Sequence, residues 1–526
     1  MGPGPALDAF LREAPDSFLG IGPDGRGRSG RFDRVAVVVR DRAELRALRV
    51  TRGTRTAALG VWLDEGTSAL SLTPRPEWPA LQLIRSRAVD GGWLTVLRFA
   101  APVPVHRVVA ELGRQAVWPD HAGQRGVVLE DESTDKVAAD PVGPGDITDP
   151  DPVLALGPLD ERILNPAGFR REVTLPVLEL AELDWGRGPT EALVRGVRGA
   201  AGVRAVLPQA DPVRAARLIA GLAMSGVPLT VDAPDGVAPR VAAHLGAAVT
   251  AAITAAVDLD DAQAREEHSV VLRRAALTTY ASGAWRRRLG ALAGVRTAER
   301  PSVSVVMATR RPDLLEHALG QVARQRGVDR LELVYAPHGF EVDPARLAEL
   351  AGSATVQQID QPGDVLFGDV LHAATRAASG DVVVKMDDDD WYAPDFLADL
   401  LLAREYSGAE LVGMPDDVYY LEPTDETVRL GQPSEVYRQF VAGGTILVDR
   451  GLLREVGGFR SVRRHVDAEL IAAVRAAGGT TYRTHGLGYV LRRTDSGHTW
   501  QADLDQLRSR AVETRPGFRP GRLLEL

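Results

Sequence analysis

The chain has 526 residues, 25% of them charged, with a formal net charge of −9 and a sequence pI near 5.7. That length predicts two to four domains, and the acidic balance gives no general attraction to phosphate backbones or anionic lipid, so no nucleic-acid partner is expected. The absence of cysteine excludes disulfides, thiolate nucleophiles and Cys-based zinc sites, so any metal must sit on oxygen or imidazole ligands.

The first twenty residues lack the basic start and apolar core of a signal peptide, and no segment is an uninterrupted apolar span of the ~20 residues a transmembrane helix needs. A cytoplasmic chain is expected, with any membrane contact made through its substrate. "GIGPDG", Gly20 to Gly25, fits the G-x-G-x-x-G fingerprint, but it runs on into "RGRSGRF" instead of opening a helix, and a loop is predicted.

Residues 1–155 read as an α/β unit. Strand-like runs "RVAVVV", "AALGVWL" and "WLTVLRF" combine with helical "DRAELRALR" and "VHRVVAELGRQA", and an acidic, Pro/Gly-rich linker follows over Leu129 to Val153. Residues 156–298 have a Rossmann-like rhythm and a helix-rich end: strand "VRAVLP", helix "DPVRAARLIAGLAMSG" opened by Asp211 and Pro212 and closed by Gly226, then strand "VPLTVD".

In the third region, 299–526, a strand Val303 to Ala308 turns at Thr309 and Arg310 into a helix opened by Pro312. Strand "LELVYAPHG", helix "FGDVLHAATRAASG" and strand "VVVK" follow. This β-α-β-α-β order predicts a parallel sheet, whose ligands gather at the carboxyl ends of its strands. There stand Asp387, Asp388, Asp389 and Asp390. Alternation along an extended segment puts Asp387 and Asp389 on one face, with Lys385, and Asp388 and Asp390 on the other. Crowded like charges oppose folding unless a cation or solvent relieves them. Oxygen-only ligands favour Mg²⁺ or Mn²⁺, which combine one or two carboxylates with waters and phosphates, so a metal–diphosphate site is predicted. Asp390 and Asp395 can instead serve the first turn of helix "PDFLADLLLAREY".

The third region resembles the inverting, nucleotide-sugar-dependent glycosyltransferase family two, with a GT-A fold. The resemblance rests on "SVVMATRRPDLLEHAL", "GDVLHAATRAASGDVVVKMDDDDWYAPDFL" with its DxD motif, "FVAGGTILVDRGLLREVGGF", "HVDAELI" and "HTW", and covers about Pro301 to Trp500. It implies that Asp387 meets the nucleotide ribose or the metal, Asp389 ligates the metal, Asp467 is the general base and His498 is a further metal or diphosphate contact. Glu469 is the reserve base, and Asp467 can alternatively be the N-cap of "AELIAAVRAAGG".

Thr309, Arg310, Lys385 and Asp388 are the expected donor-side neighbours. Gly443, Gly444, Thr445 and Trp391 are expected on the acceptor side, and Arg492 and Arg493 can clamp diphosphate. Where family members often carry "DDGS", this chain has "APHG", Ala336 to Gly339, which leaves the base unassigned. The expected function is metal-dependent transfer of a hexose from a nucleotide sugar to a glycan, lipid-linked saccharide or cell-wall polymer. A nucleotidyltransferase with a basic loop at "ATRRP" and a non-catalytic scaffold are the alternatives.

Overall fold

The computed structural model describes residues 301–477, 479–494 and 504–525. Of the N-terminal half it describes chiefly 27–41, 53–64, 78–89, 92–115, 151–162, 175–179, 189–206, 211–232 and 236–292. Most of the expected linker and His498 lie outside the described residues.

The first unit is a five-stranded sheet of β1 (Phe18–Ile21), β2 (Gly30–Val39), β3 (Thr54–Leu63), β4 (Leu81–Val89) and β5 (Gly92–Pro104), in the order β1-β2-β3-β5-β4. Strands β1 to β3 are parallel, and β5 runs antiparallel to both β3 and β4. Alternate residues Val35, Val37, Val39, Leu59, Val61 and Leu63 face one side, as a period of two requires. They pack there on Val105, Val108 and Leu112 of helix α1 (Val105–Gln115). Strand β4 has no counterpart among the expected elements. "GIGPDG" begins inside β1, and the next described element is β2, so the described residues show no helix opening there.

In the second unit β6 (Leu175–Glu179), β7 (Ala200–Ala205) and β8 (Leu229–Val231) form a parallel sheet in sequential order. Helix α2 (Pro212–Met224) starts where expected: the Asp211 side chain accepts the Arg214 N–H at 3.0 Å and proline fills the first turn. It is buried between α3 (Pro239–Thr254), kinked at Gly246, and α4 (Ala262–Tyr280). No helix among the described residues is long and apolar enough to cross a membrane.

The third unit starts with β9 (Val303–Thr309), α5 (Leu315–Ala323), β10 (Leu331–Pro337), β11 (Thr355–Gln358), α6 (Phe367–Ala377) and β12 (Val382–Lys385). It continues through β13 (Trp391–Tyr392), α7 (Phe396–Ser407), β14 (Leu411–Gly413), β15 (Val418–Leu421), β16 (Glu426–Arg429), β17 (Val436–Tyr437) and β18 (Leu447–Asp449), then α8 (Val466–Ala476), β19 (Thr481–Arg483), β20 (Tyr489–Arg493) and β21 (Glu513–Pro516). One sheet has the order β11-β10-β9-β12-β18-β14-β19-β17 and a second β13-β20-β15-β16-β21. Strands β9 to β12 are mutually parallel, as the crossover argument requires, and β12 pairs antiparallel with β18. The run Asp387–Asp390 is where the chain leaves the first sheet at β12 and crosses to the second at β13.

The second and third units share one core, in which Leu272 and Leu277 of α4 join Phe396, Leu400 and Tyr406 of α7. Arg274 crosses this contact. Its Nε and Nη2 each donate to Asp399 at 2.8 Å, and Nη1 pairs with Asp395 at 2.6 Å. Burial alone raises the Asp399 carboxyl, but Arg274 and His485 more than reverse this and hold it well below the usual carboxylate range. A depressed folded pKa contributes stability above the unfolded value near ~4 and loses it as pH falls further. Arg274→Ala removes the guanidinium that donates two hydrogen bonds to the buried Asp399. It is expected to cost ~3–5 kcal/mol, read as a lower urea midpoint, and the loss should shrink as pH falls below the ordinary aspartate range.

Candidate active site

Strand β12 is fully buried, and its last residue, Lys385, lies under the surface at the carboxyl end of the sheet. Its Nζ donates to Asp387 Oδ1 at 2.7 Å and stands 3.5 Å from Asp467 Oδ1. The alternation that puts Lys385 and Asp387 on one face is therefore observed. Asp467 comes from the far side of the fold, as the second residue of α8. The N-cap position belongs to His465, in the left-handed conformation, which removes the reading of Asp467 as a cap. Burial raises the Asp467 carboxyl above the usual range, with Lys385 opposing and Asp387 adding to the shift. Asp467 Oδ1 is buried without a hydrogen-bond partner. Burial also disfavours the Lys385 ammonium, yet the two carboxylates outweigh it and Lys385 stays charged.

Gly443 and Gly444 form the wall between these carboxylates. A Cβ on Gly443 would lie 2.1 Å from Asp467 Oδ2, and one on Gly444 would lie 2.8 Å from Asp387 Oδ2. Neither glycine has a positive φ, so lack of space, not backbone conformation, demands glycine here. The backbone is tied in as well: the Asp387 N–H donates to the Tyr392 hydroxyl at 2.8 Å, which donates to the Gly444 carbonyl at 3.0 Å. Thr445 is fully buried, and its hydroxyl accepts the Met414 N–H at 2.9 Å and donates to the Ala442 carbonyl at 2.8 Å. It shapes the loop from behind.

The remaining acids depart from strict alternation, because the strand ends at Lys385. Asp388 and Asp389 share one cation: Arg311 Nη1 donates to Asp389 Oδ2 at 2.8 Å, while Nε (3.1 Å) and Nη2 donate to Asp388. The Thr309 hydroxyl also donates to Asp388. Burial raises the Asp388 carboxyl against the pull of Arg311 and Thr309. Asp390 does not cap a helix. It is buried, accepts the Tyr489 hydroxyl and the Arg492 N–H (2.9 Å), and is held well above the usual carboxylate range by burial and by Asp389 and Asp387. Asp395 occupies the N-cap position of α7 but makes no side-chain cap bond, and instead pairs with Arg326 and Arg274.

Arg311, the second arginine of "ATRRP" and not among the expected site residues, is the cation that meets the acidic run. Arg310 turns away: its Nε donates to His338 Nδ1 at 2.9 Å and its Nη2 to the Gly363 carbonyl at 2.6 Å, pinning the "APHG" loop. Glu469 faces outward to Arg460 at 3.0 Å, so Asp467 is the carboxylate that reaches Lys385. Trp391 packs among Phe518, Tyr420 and His317, apart from the Gly443 wall. Arg492 is committed to Glu422, and the Arg493 guanidinium lies over the Tyr419 ring.

Asp387 and Asp389 offer oxygen donors only, the set a hard divalent cation takes together with phosphate oxygens and water. Among the described residues no group of three or more His, Asp or Glu is arranged to hold a metal, so the protein alone does not close a coordination shell. The donor chemistry fits Mg²⁺ or Mn²⁺, provided Arg311 yields Asp389.

Residues 342–471 match the family model for glycosyl transferase family 2. No curated protein matches the chain. Solved structures that resemble part of it include two transferases. The mannosyltransferase PcManGT from Pyrobaculum calidifontis, in complex with GDP-Man and Mn²⁺, is 18% identical with a TM-score of 0.29, over 39% of this chain and 59% of that one. S. aureus TarS 1-349, in complex with UDP-GlcNAc, is 14% identical with a TM-score of 0.32, over 40% and 64%. The chain thus spans less than two thirds of either, and at these values neither lends it any chemistry.

The glycine wall gives a direct test. Gly443→Ala is expected to destabilise by roughly 1–3 kcal/mol through displacement of Asp467. Gly320→Ala, in open space on helix α5, should be neutral or stabilising by about 0.5–1 kcal/mol. Thermal or urea unfolding separates the two.

Proposed function

We propose that this chain, whose C-terminal region carries a glycosyl transferase family 2 domain, moves a sugar from a nucleotide-sugar donor to an acceptor hydroxyl with inversion, aided by a divalent cation. The observation that carries this reading is the Asp387–Lys385–Asp467 contact. It brings a buried carboxylate oxygen with no hydrogen-bond partner to the acidic end of a parallel sheet, against a wall of two glycines.

Asp387 and Asp389 would hold the cation, which when bound supplies positive charge to a leaving diphosphate. The other roles belong to the protein. Asp467 accepts the proton of the acceptor hydroxyl, and burial, by raising its carboxyl, makes it a stronger base than an exposed aspartate. Lys385 fixes Asp467 beside Asp387 and keeps two carboxylates from repelling each other. Gly443 and Gly444 leave room for Asp467 and Asp387 to lie against the backbone, which holds the base close to the donor side of the site. With one base and no second carboxylate acting as nucleophile, a single displacement inverts the anomeric centre, through the oxocarbenium-like state known from glycoside hydrolysis. The nucleotidyltransferase alternative needs a free basic loop after β9. Arg310 and Arg311 are both engaged there, with His338 and with Asp388 and Asp389.

Incubation with UDP-, GDP- and dTDP-sugars and Mn²⁺, following nucleoside diphosphate release, tests the activity; silence with every donor contradicts it. Asp467→Asn is expected to lower kcat by about 10²–10⁴ with donor binding retained, and Asp389→Ala to abolish metal-dependent donor binding. Since the base works deprotonated, kcat/KM should fall as pH drops through a pKa above the ordinary aspartate value, and that limb should vanish in Asp467→Asn.

A further inference from the structure

A groove of about 630 Å³ opens at the far edge of the large sheet, lined by Tyr437, Arg438, Phe440, Arg475, Thr480 and Arg483 among others. Two of its arginines, Arg438 and Arg475, are exposed and have no carboxylate partner among the described residues. That is notable in a chain of net charge −9, where many arginines of the third unit are ion-paired. Arg483 differs. It is buried, and its Nε and Nη2 donate to the Phe440 carbonyl at 3.1 and 2.9 Å, fixing the loop that presents Phe440.

The aromatic rings are set in place yet left open. Tyr437 is 55% exposed and Phe440 44%. The Tyr437 ring packs edge-on against Tyr482 at 5.1 Å, and its hydroxyl donates to the Ser407 carbonyl. Rigid, exposed aromatic faces suit the apolar faces of sugar or polyol units, and unpaired guanidinium groups suit phosphate or carboxylate.

The groove is joined to the candidate active site by two covalent paths. The segment from β17 runs through Arg438 and Phe440 straight into Gly443 and Gly444. On α8, Arg475 follows Asp467 by eight residues, ~12 Å along the helix axis. Along the helix the Arg475 end of the groove therefore lies ~12 Å from Asp467, a span that a polymer of a few units covers.

We infer that this groove holds the body of the acceptor, and that the acceptor is an anionic glycan or polyol polymer. Its phosphate or carboxylate groups lie on Arg438 and Arg475 and its carbon skeleton on Tyr437 and Phe440. The inference rests on the transferase reading above and adds to it the substrate class.

The test is binding of labelled oligomers of matched length to the full chain, without donor: poly(glycerol phosphate), oligogalacturonate and neutral dextran. At least one anionic oligomer should bind about tenfold or more tightly than dextran, and less tightly as salt rises. The arm that binds tells phosphate from carboxylate. The double variant Arg438→Ala/Arg475→Ala should lose about tenfold of that affinity, while binding of nucleoside diphosphate with Mn²⁺ is unchanged. Phe440→Ala should weaken all oligomers that bind, without altering the salt dependence. Equal binding of dextran and the anions, or unchanged affinity in the double variant, overturns the inference. So does a loss of self-association in that variant with no effect on oligomers, which would make the groove an interface between copies. Because the oligomers are read without donor, their failure leaves the transferase reading standing. Absence of nucleoside diphosphate release with groove binding retained overturns only the latter.

Discussion

Five carboxylates gathered at one end of a buried sheet cannot fold there unless each is given a counter-charge, a hydrogen bond or a proton. The protein meets this constraint by dividing the cluster. Lys385, one of only two lysines in the chain, lies between Asp387 and Asp467. Arg311 spans Asp388 and Asp389, and Asp390 is buried among a tyrosine hydroxyl and a backbone N–H. Each cation is shared by two acids, so negative charge remains in excess. Under the proposed function, that excess is what the divalent cation answers.

The topology supplies the crowding. Strand β12 belongs to one sheet and β13 to another, so the aspartate run is a crossing segment, free of the pleat on both sides, and its members can turn to different partners. Strand β18, antiparallel to β12, is preceded by the glycine pair, which brings the wall against Asp387. Helix α8 then delivers Asp467 from behind that wall. Lys385 makes the arrangement stable: without it two carboxylates would face each other across two glycines with no cation between them.

Much of this was legible in the sequence, for identifiable reasons. The valine run, the Pro312 helix start and the β-α-β-α-β order are local signals, and they placed Asp387 and Lys385 together on the correct face. The Asp211 and Pro212 helix start was equally local. The partners that decide each acid's role lie far off in the chain and were not legible. Arg311 reaches residues 77 and 78 positions away, and Tyr489 reaches Asp390 across 99. Alternation failed from Asp388 onward because it presumes a strand that had already ended. Arg310 and Arg311 are indistinguishable as residue types, and only the turn after Thr309 sends one to His338 and the other to the acidic cluster. The glycine pair reads as room for an acceptor, whereas Asp467 and Asp387 fill the space beside it.

The central claim is that Asp387 and Asp389 form the cation and diphosphate end of the site while Asp467 stands apart from it as a base. Crystals grown with Mn²⁺ and a nucleoside diphosphate, with data collected at the manganese absorption edge, test it most directly. The account predicts one anomalous peak in contact with Asp389 and the diphosphate, Arg311 drawn off Asp389, and Asp467 still beside Lys385 without metal contact. A peak held by Asp467, or Arg311 still paired with Asp389 while the metal lies elsewhere, would contradict it.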